Sequence, residues 1–185
     1  MRLFVALNLP EAVRQSLCAC VRPLQSIGFA LKWMTPGQVH LTLKFLGDVE
    51  PAREGELVAA LGRACAGARS VTLSLGGFGV FPHYERPRVV WVGVAPEPSL
   101  ELLQHRIEQE FAPLGFPTEA RAFRPHITLG RAGPRARPGG FDKLESALAD
   151  LAFDATAVIM TVDLMLSALQ SGGAVYHGRH SERLP

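Results

Sequence analysis

Apolar and polar positions recur along this chain with two periods, and the switches between them lay out the elements. Residues 2–8, with Leu3-Phe4-Val5-Ala6-Leu7 at their centre, read as a strand. Pro10 then opens a helix in which Val13, Leu17, Cys20, Val21 and Leu24 recur at helical spacing until Gly28 stops it. Two strands come next, at 31–34 and 38–46, parted by the turn signal Thr35-Pro36-Gly37. Gly47-Asp48 ends the second, and Pro51 begins a helix through Ala66. A glycine-interrupted strand spans 70–81, where Gly76-Gly77-Phe78-Gly79 marks a bulge or a close backbone approach. Residues 88–94 form a further strand, and Pro98-Ser99 starts a helix through about Phe111. A strand at 126–131, a helix near 141–150 and strands at 154–167 and 173–178 complete the chain. The stretch Arg131 to Gly140, rich in Arg, Gly and Pro, reads as the most mobile loop. Interleaved strands and helices with antiparallel-style turns predict an α+β fold rather than a doubly wound parallel sheet.

One short pattern occurs twice: His40-Leu41-Thr42-Leu43 and His126-Ile127-Thr128-Leu129, close to half a chain apart. On a strand, residues two apart share a face. Each copy therefore presents an imidazole and a hydroxyl together, backed by aliphatics turned toward a core. In the first copy, simple alternation adds Lys44 to the polar face and puts Leu41, Leu43 and Phe45 on the other. In the second, Gly130 joins His126 and Thr128 and leaves room for a ligand. Alternation puts Arg131 on the opposite face, so it reaches the same cleft only if the strand ends or bulges there.

Composition narrows the setting more than the chemistry. The chain has 185 residues, enough for a substantial core, built as one domain or two small lobes. A net charge of +2 does not by itself point to nucleic acid, although sixteen of the nineteen basic residues are arginine, the residue suited to bidentate phosphate contacts. A GC-rich genome accounts for most of that bias. No run has the form of a signal peptide or reaches transmembrane length. Cys18, Cys20 and Cys65 are odd in number and lack a metal-ligand spacing, so neither a disulfide framework nor a zinc site is expected. The expectation is a cytoplasmic, reducing setting without membrane contact.

Two imidazoles and two hydroxyls on facing strands suit acid–base cleavage of a phosphodiester. One histidine takes a proton from water and the other gives one to the leaving oxygen. The hydroxyls donate to non-bridging oxygens as charge builds there. This division of labour needs no metal or other cofactor. A single His-x-Thr would carry little weight, because strand histidines are commonly exposed or structural; the matched second copy changes that. His83, His105, His177 and His180 read as surface residues. Trp33, Trp91, Phe123 and Tyr176 are candidates for stacking on a base, with core packing the simpler reading for Trp91.

These residues also carry a family resemblance. Arg2-Leu3-Phe4-Val5-Ala6-Leu7, Trp33, His40 through Gly47, Gly77 through Pro82, Arg88-Val89-Val90-Trp91 and Phe123 through Arg131 together resemble the two-histidine (2H) phosphoesterases, and within them the RNA 2′,3′-cyclic phosphodiesterases, historically called 2′-5′ RNA ligases. The segment Val175–Pro185 matches less well. The resemblance implies one bilobal domain over residues 1–185, with two antiparallel sheets, outer helices and a central cleft between pseudo-symmetric lobes. It implies metal-independent hydrolysis of a terminal 2′,3′-cyclic phosphate to a 2′-phosphomonoester, with reversible 2′-5′ ligation as a secondary activity. His40 is then the proton donor and His126 the proton acceptor, assignments the motifs alone leave open. Thr42 and Thr128 hold the phosphate in that scheme and Arg131 matches a frequent family arginine; Lys44, from its face, and Phe123, as a stacking ring, are further expected substrate contacts. The expected partners are RNA termini or short oligonucleotides, acted on by a monomer. Rival readings are a 2H enzyme acting on a small cyclic nucleotide or 2′-5′ oligonucleotide, an RNA-end-binding module without catalysis, and a histidine metal site lacking a completing carboxylate or cysteine.

Overall fold

The computed structural model describes residues 1–133, 136, 139–171 and 173–185. The expectation of a mobile Arg131–Gly140 loop falls partly outside them. The described strands are β1 (Arg2–Asn8), β2 (Leu31–Trp33), β3 (His40–Asp48), β4 (Val71–Phe81), β5 (Val89–Val94), β6 (His126–Ala132), β7 (Asp154–Ile159), β8 (Thr161–Gln170) and β9 (Gly173–Arg183). The described α-helices are α1 (Glu11–Cys20), α2 (Arg22–Ile27), α3 (Glu54–Cys65), α4 (Pro98–Phe111) and α5 (Leu144–Ala149).

The fold is α+β. All strand pairings are antiparallel, in the order β7-β4-β5-β6-β3-β1-β8-β9, with β2 paired to β6. Two four-stranded halves, β7-β4-β5-β6 and β3-β1-β8-β9, meet where Leu41 pairs with Ile127. Hydrogen bonding thus runs as one sheet through a narrow junction. In each half the innermost strand carries a His-x-Thr motif, and its antiparallel neighbour precedes it across helical structure: β1 before β3, β5 before β6.

The main core fills the space between the sheet and the helices. Leu41, Leu43, Ile127 and Leu129 join Leu17 of α1, Leu57 and Leu61 of α3, and Leu103, Ile107 and Phe111 of α4. A second cluster packs Leu144 and Leu148 of α5 and Leu24 of α2 against Val80 and Val90. A third, small cluster of Phe4, Ala6 and Met165 lies with Tyr176, which packs against it.

Four boundaries differ from the pattern-based expectation. The first helix divides at Val21, because Pro23 has no N–H to continue the ladder and sits at the start of α2. Pro51–Arg53 forms a 3₁₀ turn, and α3 begins at Glu54. The run 154–167 is two strands in opposite halves: β7 lies on β4, β8 lies on β1, and the chain crosses between them at Met160. The last strand, expected over 173–178, continues to Arg183 in register with β8. Among the described residues no helix is long and apolar enough to cross a membrane.

Candidate active site

Both motif strands bulge at the same position. Against β1, Val5 pairs with Lys44 and Ala6 with Thr42, so Leu43 is the extra residue. Against β5, Val90 pairs with Gly130 and Trp91 with Thr128, so Leu129 is the extra residue. Each bulge inserts one residue and reverses the faces of the residues after it. Burial records this: in both strands the sequence runs half-buried His, buried aliphatic, half-buried Thr, buried Leu, buried residue, exposed residue.

The reversal corrects the expectation for Lys44. Its side chain does not share the face of His40 and Thr42. It points behind the strand, 4 % exposed, and donates to Glu108 of α4 (2.5 Å) and the Pro117 carbonyl (2.9 Å). Phe45 takes the opposite course, 63 % exposed in a strand whose alternation promised a core residue. In the second strand the bulge brings Arg131, exposed, onto the face that alternation had denied it.

The junction between halves sets the four motif side chains together. Continuing the Leu41–Ile127 register by one residue each way puts His40 opposite Thr128 and Thr42 opposite His126. Opposed residues share a face. Leu41 and Ile127 are buried on the reverse side, at 1 % and 0 % exposure. The result is a two-by-two patch in which each imidazole stands beside the other motif's hydroxyl.

Both rings are held by the residue two positions before them. His126 Nδ1 lies 2.7 Å from the Arg124 carbonyl. A carbonyl only accepts, so Nδ1 carries a proton, and the neutral tautomer of this ring has its lone pair on Nε2. The His40 ring donates to the Gln38 backbone carbonyl in the same way. A phenylalanine flanks each ring at a centroid distance of 4.9 Å, Phe4 for His40 and Phe81 for His126. Their surroundings then differ. Tyr176 also packs edge-on against His40 at 5.0 Å and against Phe4 at 5.2 Å. Burial pulls the His40 imidazole down to about 4; the Gln38 hydrogen bond opposes this, and the Arg131 charge adds to the lowering.

On the His126 side, Trp91 lies opposite Thr128 with its indole flat over Gly79 and next to Phe81 (5.2 Å). A Cβ on Gly79 would run into the indole, and one on Gly93 would lie 2.9 Å from the Gly76 carbonyl. The glycine-rich strand thus serves both expected ends: a bulge at Gly77, with φ of +69°, and a close approach at Gly79 and Gly93.

Phe123 is half-buried and packs against the main core. Phe4, Phe81 and Tyr176 instead supply the rings at the histidines. Phe4 and Phe81 were legible only as strand residues, since nothing in one sequence tells which apolar face turns to a cleft. Among the other histidines, His83 pairs with Glu85 (2.8 Å) and His180 with Glu182 (2.6 Å), away from the patch.

The fold and this patch define a class: an α+β phosphoester-processing enzyme of the two-histidine type, with an imidazole and a hydroxyl from each half of the sheet. The family model described as the 2′-5′ RNA ligase superfamily matches residues 12–168, and the chain belongs to that family. An RNA 2′,3′-cyclic phosphodiesterase of Thermotoga maritima is 32 % identical over 95 % of the chain and 91 % of its own length. One of Methanothermobacter thermautotrophicus is 32 % identical over 95 % of each. The structure of E. coli LigT complexed with 3′-AMP superposes with a TM-score of 0.76 at 27 % identity, covering 99 % of this chain and 97 % of LigT.

Proposed function

We propose that this chain hydrolyses 2′,3′-cyclic phosphate termini of RNA to 2′-phosphomonoesters by proton transfer between two histidines. The observation that carries the reading is the two-by-two patch, in which His40 and Thr42 from one half meet His126 and Thr128 from the other. Curated relatives at 32 % identity bear the name of this activity, and the E. coli neighbour holds a nucleoside 3′-phosphate.

His126 is the base. Its Nδ1–H is engaged by Arg124, so Nε2 is free to accept a proton from the attacking water. His40 is the acid and gives its proton to the departing 3′ oxygen. Water oxygen forms the new P–O bond, the P–O3′ bond breaks, and the 2′ ester remains. Thr42 and Thr128 donate to the non-bridging oxygens, and Arg131, turned to this face by the bulge, balances their charge. In the free protein His40 favours the neutral form near pH 7. The bound phosphodiester anion offsets both Arg131 and burial, so His40 takes up its proton as substrate arrives.

With a 5′-hydroxyl in place of water, the same step joins a cyclic end through a 2′-5′ linkage: His126 accepts the 5′-hydroxyl proton, His40 donates to the departing O3′, and the roles exchange only when that linkage is cleaved back to the cyclic phosphate. Water is the more abundant nucleophile, so ligation is the minor reaction. The deciding experiment is incubation with a short RNA ending in a 2′,3′-cyclic phosphate, and then identification of the product. A 2′-phosphate is expected. A 3′-phosphate would reverse the regiochemistry, and an unchanged substrate would leave a binding module.

A further inference from the structure

A pair of cations stands along β6 from the four-residue patch. β2 pairs with β6 on the edge that also meets β3, and Lys32 lies directly opposite Arg131. Opposed residues share a face, so Lys32 and Arg131 both present to the side that the Leu129 bulge gave to Arg131. The position of Lys32 is well defined. Its ammonium lies against Gly173, where φ is +120° and any Cβ would collide with it. The start of β9 is in turn held by Gln38, whose Nε2 donates to the Ala174 carbonyl (2.7 Å). Arg131 is close enough to lower His40, so its charge serves the patch, and Lys32 stands just beyond it. Arg131 lies three positions after Thr128, at most about 10 Å of strand, within reach of a neighbouring phosphate through long side chains.

We propose that Lys32, together with Arg131, forms a second phosphate subsite, which takes the phosphate on the 5′ side of the terminal nucleotide. That group is the upstream phosphodiester of an RNA or the 5′-phosphate of a mononucleotide. The proposal rests on the cyclic phosphodiesterase reading and specifies its substrate: a terminal nucleotide carrying phosphate at both ends. Lys32 contributes a point charge and Arg131 a fork shared between the two phosphates. Being exposed at the rim, the subsite weakens as salt rises.

The test compares adenosine 2′,3′-cyclic phosphate, its 5′-phosphorylated form and the dinucleotide ApA with a 2′,3′-cyclic end. In the wild-type protein each added phosphate should raise kcat/KM by about tenfold at low salt. In Lys32→Gln the ratio between phosphorylated and plain compounds should fall toward one, and Lys32→Arg should restore part of it. A gain from the 5′-phosphate without one from the dinucleotide would assign the subsite to a free terminal phosphate, and the converse would assign it to the RNA backbone. Equal kcat/KM for all three compounds, or a ratio that survives Lys32→Gln, overturns the proposal. Should the wild type hydrolyse none of them, the phosphodiesterase reading fails, and calorimetry still judges the subsite. Adenosine 2′,5′-bisphosphate should then bind more tightly than adenosine 2′-phosphate, by a margin lost in Lys32→Gln. Equal affinities count against the subsite.

Discussion

Leu41 and Ile127 pair where the two halves of the sheet meet, and each directly follows a motif histidine. The relative placement of His40 and His126 therefore depends on a short junction, this pair and the β2–β6 pairing beside it, rather than on a long ladder. Truncation at either position leaves a cavity beneath the patch. Leu41→Ala and Ile127→Ala should each lose about 2–5 kcal/mol of stability, measured by urea unfolding. They should also lower kcat more than they raise KM, because a shift of the imidazoles harms proton transfer first. Wild-type kcat in both variants would show that the junction does not position the histidines.

His40→Ala and His126→Ala should each reduce kcat on a cyclic-phosphate RNA by about 10²–10⁴-fold. Thr42→Val and Thr128→Val should cost about 10–10³-fold, each removing one donor from the non-bridging oxygens. Activity should withstand EDTA, since the proposed step is carried by imidazoles. Loss with EDTA and recovery with zinc would favour the metal reading instead.

Lys44 and Glu108 should behave as a structural pair. Lys44→Met leaves the Glu108 carboxylate buried, at 5 % exposure, with its cation gone. That should cost about 3–5 kcal/mol, while the double variant Lys44→Met/Glu108→Leu recovers much of the loss. The pair also pins the segment before β6, because Glu108 accepts from the Glu119 backbone N–H (3.2 Å) and Lys44 donates to the Pro117 carbonyl. A double-mutant cycle on thermal unfolding, with KM measured at low temperature, separates this from substrate contact. A raised KM at unchanged stability in Lys44→Met would return the lysine to the cleft.

The α+β class, most strands and both histidine motifs were legible from period and repetition. The bulges were not. In β3, Leu41, Leu43 and Phe45 continue an unbroken alternation, so the sequence conceals the face reversal that buries Lys44 and exposes Phe45. In β6, Gly130 after the bulged Leu129 is a hint, but one glycine does not distinguish a bulge from room for a ligand. The aromatic surroundings were hidden for a related reason. Phe4 sits in an apolar run whose two faces look alike in sequence, and only pairing between β1, β3 and β8 shows which face meets the site. Tyr176 belongs to the segment with the weakest resemblance, yet its ring packs on His40.

Gly79 tests the close approach beneath Trp91. Gly79→Ala places a methyl group against the indole and should cost about 1–3 kcal/mol. Because Trp91 pairs with Thr128, displacement of the ring should also lower activity. Indole fluorescence reports the movement directly. An unchanged spectrum with unchanged activity would mean that the strands part without disturbing the site.

Protonation of His40 links stability to substrate binding. Folding holds this imidazole at about 4, below its ordinary 6.5, so the native state prefers the neutral ring. Its contribution is complete above about 6.5 and is lost as pH falls from there toward about 4, on the order of 3 kcal/mol. His40→Asn should flatten that part of the stability curve, as measured by urea midpoints at several pH values. Binding works in the other direction. A phosphodiester anion beside the ring raises its pKa, so a bound cyclic-phosphate analogue should take up protons near pH 6–7. Calorimetry in buffers of different ionisation enthalpy measures that uptake. Arg131→Gln should lift His40 in the free protein by removing a neighbouring positive charge, and should weaken analogue binding. Binding without proton exchange in the wild type, across pH 5–8, would remove His40 as the acid and leave that role to His126.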